Sequence, residues 1–234
     1  MTVYSLPAVV FDGVVDVSHH NGAIDWPAVA GAGIALAFIK ATQGVDFVDP
    51  AFERNRNAAA AAGVLAVPYH FLDTSDPDRQ AEHFLAAADL AAGQLAMLDW
   101  ETAATGSALV AIGRAVAART GRDPIAYYGF AQLQEVSPDL SRWPLMLPEY
   151  PRGTAPGRYL SLVQQPPRLP PGRPAVWNGG PRPYDFHQYT PAGRLPGIAT
   201  PVDRSIWVGT LAELKAWCAS GALPAPSVVV APAG

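Results

Sequence analysis

The sequence has a single cysteine, Cys218, and no long hydrophobic run. One cysteine excludes an intramolecular disulfide, and we interpret Cys218 as a small buried hydrophobic residue rather than a nucleophile. No segment approaches the roughly 20 apolar residues of a transmembrane helix, and residues 1–13 contain no basic leader. We therefore expect no membrane insertion and no secretory signal, and synthesis in a cytoplasm.

Charged residues are also scarce, at 15% of 234 residues, and the formal net charge is −4. The basic residues are nearly all arginines, scattered without a polybasic segment, which excludes a protein that tracks nucleic-acid phosphates. Half of the residues are hydrophobic, enough for one large core, so we expect one main domain and a monomer.

The first half of the chain alternates short apolar runs with alanine-rich stretches. Prolines preceded by aspartates mark two helix starts, at Asp49-Pro50 and Asp76-Pro77. This alternation predicts a parallel sheet covered by helices. The predicted strands are residues 14–18, 35–40, 65–70, 95–99 and 124–128, and the predicted helices are residues 26–32, 50–62, 77–88 and 107–120.

The second half has a different texture, because prolines and glycines crowd residues 144–201. Strand-like segments occur at residues 144–148, 184–189 and 202–207, and a last helix is predicted at 210–219. The predicted fold class is therefore α/β, an irregular TIM-like (β/α) barrel with regular βα units only in its first half. We divide the chain into an N-terminal extension (1–13), the barrel (14–220) and a Pro/Ala-rich tail or linker stub (221–234).

Polar residues of unusual kind follow the predicted strands. In a parallel barrel the carboxyl ends of the strands meet on one face, where such folds place active sites. We therefore expect one cleft that collects residues far apart in sequence, namely Asp16, Lys40, Tyr69, His70, Asp99 and Glu101.

Asp99 and Glu101 are the strongest candidates for chemistry. At positions i and i+2 of a strand their side chains share a face, with Cα atoms roughly 6–7 Å apart. Two carboxyl groups that close repel as anions, so one should keep its proton near neutral pH. Glycosidic bond cleavage needs such an acid together with a carboxylate. A solvated acidic loop is the alternative, but the pair directly follows the apolar run 95–98.

An ordered set of motifs resembles glycoside hydrolase family 25, the lysozymes common among phage endolysins and bacterial autolysins. The resemblance covers residues 14 to 217. Its segments are Asp16-Val17-Ser18-His19-His20-Asn21-Gly22, Ile24-Asp25-Trp26, Phe38 to Gly44, Tyr69-His70-Phe71, Leu98-Asp99-Trp100-Glu101, Gln188-Tyr189, and Gly193 through Pro196-Gly197-Ile198 to Val202-Asp203.

The resemblance implies a muramidase that cuts the β-1,4 bond after N-acetylmuramic acid in peptidoglycan. We expect no cofactor, and the Asp-x-Glu spacing suggests retention of the anomeric configuration. Glu101 would be the general acid, and Asp99 would stabilise positive charge or orient the substrate's acetamido group. Asp16 and Asp203 would complete an acidic cluster. The candidates for sugar binding are Lys40, Tyr69, Tyr128 and Gln188.

Some residues depart from the family's pattern. Asn21 and Gln43 stand where Gln and Glu are usual, Trp100 stands where a smaller residue is common, and residues 145–148 replace a stretch that usually carries tryptophan. None of these changes removes a catalytic carboxylate. They put the shape of the glycan subsites in question.

Two other functions stay open at this point. A metal-dependent hydrolase could use an Asp/His cluster of Asp16, His19, His20 and His70 together with Asp99 and Glu101. Adjacent histidines on an extended segment, however, should point in opposite directions. A non-catalytic wall-binding or virion module could share the same barrel. For the hydrolase we expect action on the cell wall after release from the host, with the tail leading to a separate wall-binding domain as one possibility.

Overall fold

The structure, a computed structural model, describes residues 9–129, 132, 140, 143–150, 153, 155–163 and 184–221. The strands are β1 (Val10–Val17), β2 (Leu36–Gln43), β3 (Phe47–Val48), β4 (Leu65–Phe71), β5 (Met97–Trp100), β6 (Ile125–Tyr128), β7 (Leu145–Pro148), β8 (Phe186–Leu195) and β9 (Ile198–Val208). The helices are α1 (Trp26–Gly31), α2 (Phe52–Ala61), α3 (Pro77–Ala88), α4 (Gly106–Thr120), α5 (Tyr159–Leu162) and α6 (Leu211–Ser220), and a 3-10 turn covers His19–Asn21.

Eight strands form a closed barrel in the order β1-β9-β8-β7-β6-β5-β4-β2, and β1 pairs with β2 to close it. All neighbouring pairs are parallel except those of β9, which runs antiparallel to both β8 and β1. The short strand β3 folds back on the end of β2. The predicted irregular α/β barrel is confirmed.

Of the two helix starts predicted from Asp-Pro pairs, the structure has one. The Asp76 carboxylate caps α3, which begins at Pro77 as predicted. The second aspartate, Asp49, does not start a helix at Pro50. Its carboxylate accepts hydrogen bonds from the backbone N–H groups of His19 and Ala51 instead, and α2 begins at Phe52.

The ends of the barrel differ most from the prediction. β1 begins at Val10, four residues earlier than expected, because Val10 and Phe11 pair with the end of β9. The stretch 190–201, which was expected to be a loop, extends β8 and β9 into a long hairpin with several register shifts. Most of the predicted extension and tail, residues 1–8 and 222–234, lies outside the described residues.

The core has two layers, as alternation along each strand requires. Residues such as Phe38, Met97 and Phe186 fill the barrel, and α6 covers its amino-terminal end, where Trp217 stacks on Trp207 with ring centroids 5.2 Å apart. A second layer, between the barrel and its helices, contains outward residues such as Ile39 and Leu98.

Cys218 packs at the edge of the inner layer, and burial raises the pKa of its thiol to about 11. Little reactive thiolate therefore forms at neutral pH. Among the described residues, no helix is long and apolar enough to cross a membrane.

Candidate active site

Acidic residues from three parts of the chain meet at the carboxyl-terminal rim of the barrel. Asp99 ends β5, and Glu101 follows it directly. Asp16, near the end of β1, is the register partner of Asp203 on β9. Asp203 lies at the midpoint of β9, and it reaches this rim because β9 runs antiparallel to its neighbours.

Asp99 and Glu101 interact directly, and their environments differ. Asp99 is 7% exposed, whereas Glu101 is exposed at the mouth of the cleft. Burial, followed by repulsion from Glu101 and Asp16, raises the pKa of Asp99 well above its usual range. Partial desolvation raises the pKa of Glu101, while a hydrogen bond with Asp99 and the charge of Lys40 act against that rise.

A buried oxygen atom of Asp99 also favours the protonated form of this carboxyl group. Asp99 Oδ1 is buried and has no hydrogen-bond partner among the described residues, which is costly for a charged carboxylate and tolerable for a neutral acid. Both observations favour the protonated form of the Asp99–Glu101 pair, which is the direction that the spacing of the two residues predicts.

Asp16 and Asp203, which are register partners, form a second pair of neighbouring carboxyl groups. Burial, followed by repulsion from Asp203, raises the pKa of Asp16 well above its usual range. Burial and the charge of Glu101 raise the pKa of Asp203 to about 6, although the hydrogen bond with Asp16 acts to lower it. In both pairs, the raised pKa values favour protonated carboxyl groups at this rim.

Lys40 brings a positive charge to this acidic rim. It is 8% exposed, donates to Gln43 Oε1 at 2.7 Å, and its Nζ lies 4.6 Å from the centre of the Phe71 ring. Burial lowers the pKa of Lys40, and the attraction of Asp99 and other carboxylates opposes that shift. An ammonium here can balance part of the charge that Asp99 and Glu101 carry when ionised.

Tyr69 lies beside Lys40 in the register of β2 and β4, and it is 9% exposed. Burial and the nearby Asp99 charge raise the pKa of its hydroxyl well above the usual value. The phenol therefore keeps its proton at neutral pH and can donate a hydrogen bond into the cleft.

Two predicted site residues do not reach the rim, and both follow a residue that does. His70 faces α3, where Nδ1 lies 2.8 Å from Thr42 Oγ1 and Nε2 lies 3.1 Å from Gln80 Oε1. Tyr128 is fully buried in the outer layer, with its ring 5.8 Å from that of Trp100. Successive side chains of a strand point to opposite faces, so the inward residues of these pairs are Tyr69 and Tyr127.

Sequence reasoning missed Tyr127 and Tyr150 as site residues. Tyr127 lies in the inner layer, and its hydroxyl donates to Gln188 Oε1 at 2.8 Å. Tyr150 follows β7 and donates to the same oxygen at 2.5 Å. Tyr150 could have been found by applying the strand-end rule to β7, but the sequence contains no signal that selects Tyr127 over Tyr128.

The histidines of the metal hypothesis do not form one site. His19 and His20 lie on a 3-10 turn with ring centroids 3.9 Å apart, so the expectation that they point in opposite directions is wrong. His19 also lies 2.8 Å from the Asp49 carboxylate, whereas His70 is enclosed between β4 and α3. In the described ranges, no group of three or more His, Cys, Asp or Glu is arranged to hold a metal ion.

This rim can therefore carry out acid–base chemistry. A carboxyl pair whose pKa values are raised favours a protonated acid, which becomes a carboxylate in the same cleft after it transfers the proton. Cleavage of an acetal such as a glycosidic bond requires that combination.

Known proteins resemble this chain in sequence and in fold. An uncharacterized protein of Escherichia coli K12, YegX, is 32% identical over 216 residues, covering 87% of this chain and 72% of YegX. Lysozyme M1 of Streptomyces globisporus is 40% identical over 72 residues, which are 30% of this chain and 24% of that protein. The crystal structure of a bacterial lysozyme from Streptomyces coelicolor matches with a TM-score of 0.72 and 26% identity, over 90% of this chain and 99% of the other.

A family model supplies the assignment. The model of glycosyl hydrolases family 25 matches residues 15–198, which include Asp16, Asp99 and Glu101, while Asp203 lies just beyond the matched range. The chain therefore belongs to glycosyl hydrolases family 25 and is a glycoside hydrolase of the lysozyme type.

Proposed function

We propose that this chain is an N-acetylmuramidase that hydrolyses the β-1,4 bond between N-acetylmuramic acid and N-acetylglucosamine in the glycan strand of peptidoglycan. The observation that carries the proposal is the gathering of Asp16, Asp99, Glu101 and Asp203 at one barrel rim, with pKa values raised by burial and mutual repulsion. Family membership supplies the class of reaction.

Glu101 is the general acid in this proposal. It is the exposed member of the protonated pair, so its carboxyl group can reach a glycosidic oxygen in the cleft, whereas Asp99 is buried behind it. Before reaction the pair shares a proton through the hydrogen bond between the two carboxyl groups. As the leaving oxygen takes the proton from Glu101, the pair becomes more negative next to the sugar that develops positive charge.

The other polar residues have supporting roles. Asp99 stabilises the oxocarbenium-like state or orients the acetamido group of the substrate. Lys40 limits the repulsion between the carboxyl groups once they ionise. Tyr69, a protonated phenol at neutral pH, donates to the sugar.

We further propose that hydrolysis retains the anomeric configuration, with the substrate's acetamido group as nucleophile, because the Asp-x-Glu spacing recurs in substrate-assisted hydrolases. Proton NMR of the first product should then show the β-anomer before mutarotation. Initial release of the α-anomer would rule out retention.

The reaction itself is tested by mass spectrometry of purified peptidoglycan after digestion and borohydride reduction. A muramidase leaves fragments that end in reduced N-acetylmuramic acid. Fragments that end in reduced N-acetylglucosamine, or a glycan left uncut while peptides are released, would overturn the proposal. Digestion with EDTA present tests the metal-dependent alternative, and wall binding without any released fragments would indicate a non-catalytic module.

The proposed place of action is the cell wall, after release from the host cell as for a phage endolysin, because that is where the substrate lies. The net charge of −4 gives little attraction to an anionic wall. Affinity must then come from the cleft itself or from a separate wall-binding domain, and we propose that the catalytic barrel acts as a monomer.

A further inference from the structure

Both polar atoms of Gln188 on β8 already have hydrogen-bond partners inside the protein. The residue is 2% exposed, and its amide Nε2 donates to Asp16 Oδ2 at 3.0 Å. Its amide oxygen accepts hydrogen bonds from the hydroxyl groups of both Tyr127 and Tyr150. The predicted sugar-binding role therefore does not fit the contacts of this side chain.

The two tyrosines fix which end of the amide faces Asp16. Burial raises the pKa of both phenols above the usual value, so both remain protonated donors at neutral pH. A flipped amide would bring its carbonyl oxygen against the Asp16 carboxylate, and the two phenols could then no longer donate to the group that faces them. The observed orientation instead pairs each of the three donors with an acceptor, so the donor end stays on Asp16.

We propose that Tyr127, Tyr150 and Gln188 form a relay of positioning residues that keeps a hydrogen-bond donor directed at Asp16, so that the Asp16–Asp203 pair loses its proton at a lower pH than it otherwise would. The relay acts through Asp16 and does not touch the substrate. This inference rests on the proposed muramidase function, for which the charge of the acidic rim matters.

The surroundings of Asp16 show why such a donor is needed. Its neighbours are acids or protonated phenols, and a hydrogen bond that favours the ionised form offsets their repulsion. The one cation of the rim, among the described residues, is Lys40, which acts on Asp99 and Glu101 instead. The titratable groups that face Asp16 are Asp203 on β9, Asp99 and Glu101 at the end of β5, Tyr69 on β4, Tyr127 on β6 and Tyr150 after β7.

The double variant Tyr127→Phe/Tyr150→Phe tests the relay, because it removes both donors while leaving the amide and the rings. In a plot of kcat/KM against pH, the rise on the acidic side, or acidic limb, should move to higher pH by about one unit. That shift is equivalent to about 1.4 kcal/mol in the free energy of ionisation of Asp16. KM should stay nearly unchanged, because the relay does not touch sugar. Gln188→Met, which removes the amide, should move the limb in the same direction.

Tyr128→Phe is the matched control. It removes a buried hydroxyl from the neighbouring position of the same strand, on the face away from the cleft, and should leave the acidic limb in place. Thermal unfolding of all variants separates a loss of fold from a change in titration.

A measurement that does not depend on enzyme activity tests the relay separately from the proposed function. The ¹³C carboxyl resonance of Asp16, identified by its loss in Asp16→Asn, should titrate at higher pH in the double variant than in the wild type. If the wild type releases no muramyl fragments, the proposed function fails while this titration still tests the relay. An unshifted Asp16 titration, or a raised KM with the acidic limb in place, would overturn the relay.

Discussion

At the scale of single residues, the acidic rim holds more negative charge than the fold favours. Asp16, Asp99 and Asp203 are held close together with little solvent, and each has a raised pKa. A carboxyl group whose pKa is raised by folding binds its proton more tightly in the folded state. Its contribution to stability is therefore complete at low pH and is lost as the pH rises past the unfolded value toward the folded one.

We expect Asp203→Asn to stabilise the protein at pH 7.5 by about 1–3 kcal/mol, because the amide resembles the protonated acid and avoids the cost of ionising a group with a pKa of about 6. The gain should disappear at pH 4, where the wild-type carboxyl group is already protonated in the fold. Urea unfolding at both pH values measures the difference, and Asp46→Asn in the exposed turn before β3 is the control. A stability gain that is equal at both pH values would contradict the raised pKa of Asp203.

At the scale of elements, the β8–β9 hairpin supports the acidic rim. The hairpin turn at Gly197 packs against the loop before α1, where Asp25 N–H donates to the Gly197 carbonyl oxygen at 2.9 Å. Gly197 has a φ of +88°, and a Cβ atom there would lie 2.4 Å from the Asp25 carbonyl oxygen. The turn thus needs glycine both for its backbone conformation and for its close approach to a neighbour.

Gly197→Ala should therefore lower the free energy of unfolding by more than the ~1–2 kcal/mol that a left-handed backbone alone costs an alanine. Gly63→Ala is the matched control, since Gly63 has a φ of +78° but nothing within 4 Å of a Cβ atom. Denaturant titration of both variants isolates the steric contribution. Equal losses of stability in the two variants would show that the hairpin does not pack closely on the Asp25 loop.

The elements also show what sequence reasoning could and could not predict. The abrupt end of each apolar run located Asp16, Lys40 and Asp99, because the strands are parallel and their carboxyl ends share a rim. Asp203 came from the family resemblance, since the antiparallel direction of β9 leaves no such signal in the sequence. The sequence did not show which side chains of a strand point into the barrel. Only the fold shows that Tyr69 and Tyr127 point inward, while the residues that follow them, His70 and Tyr128, point outward.

At the scale of the whole molecule, the end of the barrel that α6 covers and the end that carries the acidic cleft lie opposite each other. α6 covers the amino-terminal end with Leu214 and Trp217, both almost completely buried. The acidic cleft lies at the other end, and Glu101 is exposed there beyond the last residue of β5. Removing the charge of Glu101 should therefore leave the barrel core intact.

The most direct test of the account is the turnover of Glu101→Gln on purified peptidoglycan, compared with Glu82→Gln, which alters an exposed glutamate on α3. If Glu101 supplies the proton to the leaving oxygen, kcat should fall by about 10³-fold or more in Glu101→Gln, while the unfolding midpoint stays near that of the wild type. Glu82→Gln should retain wild-type turnover. Near-normal turnover by a folded Glu101→Gln enzyme would contradict the assignment of the general acid and the mechanism that depends on it.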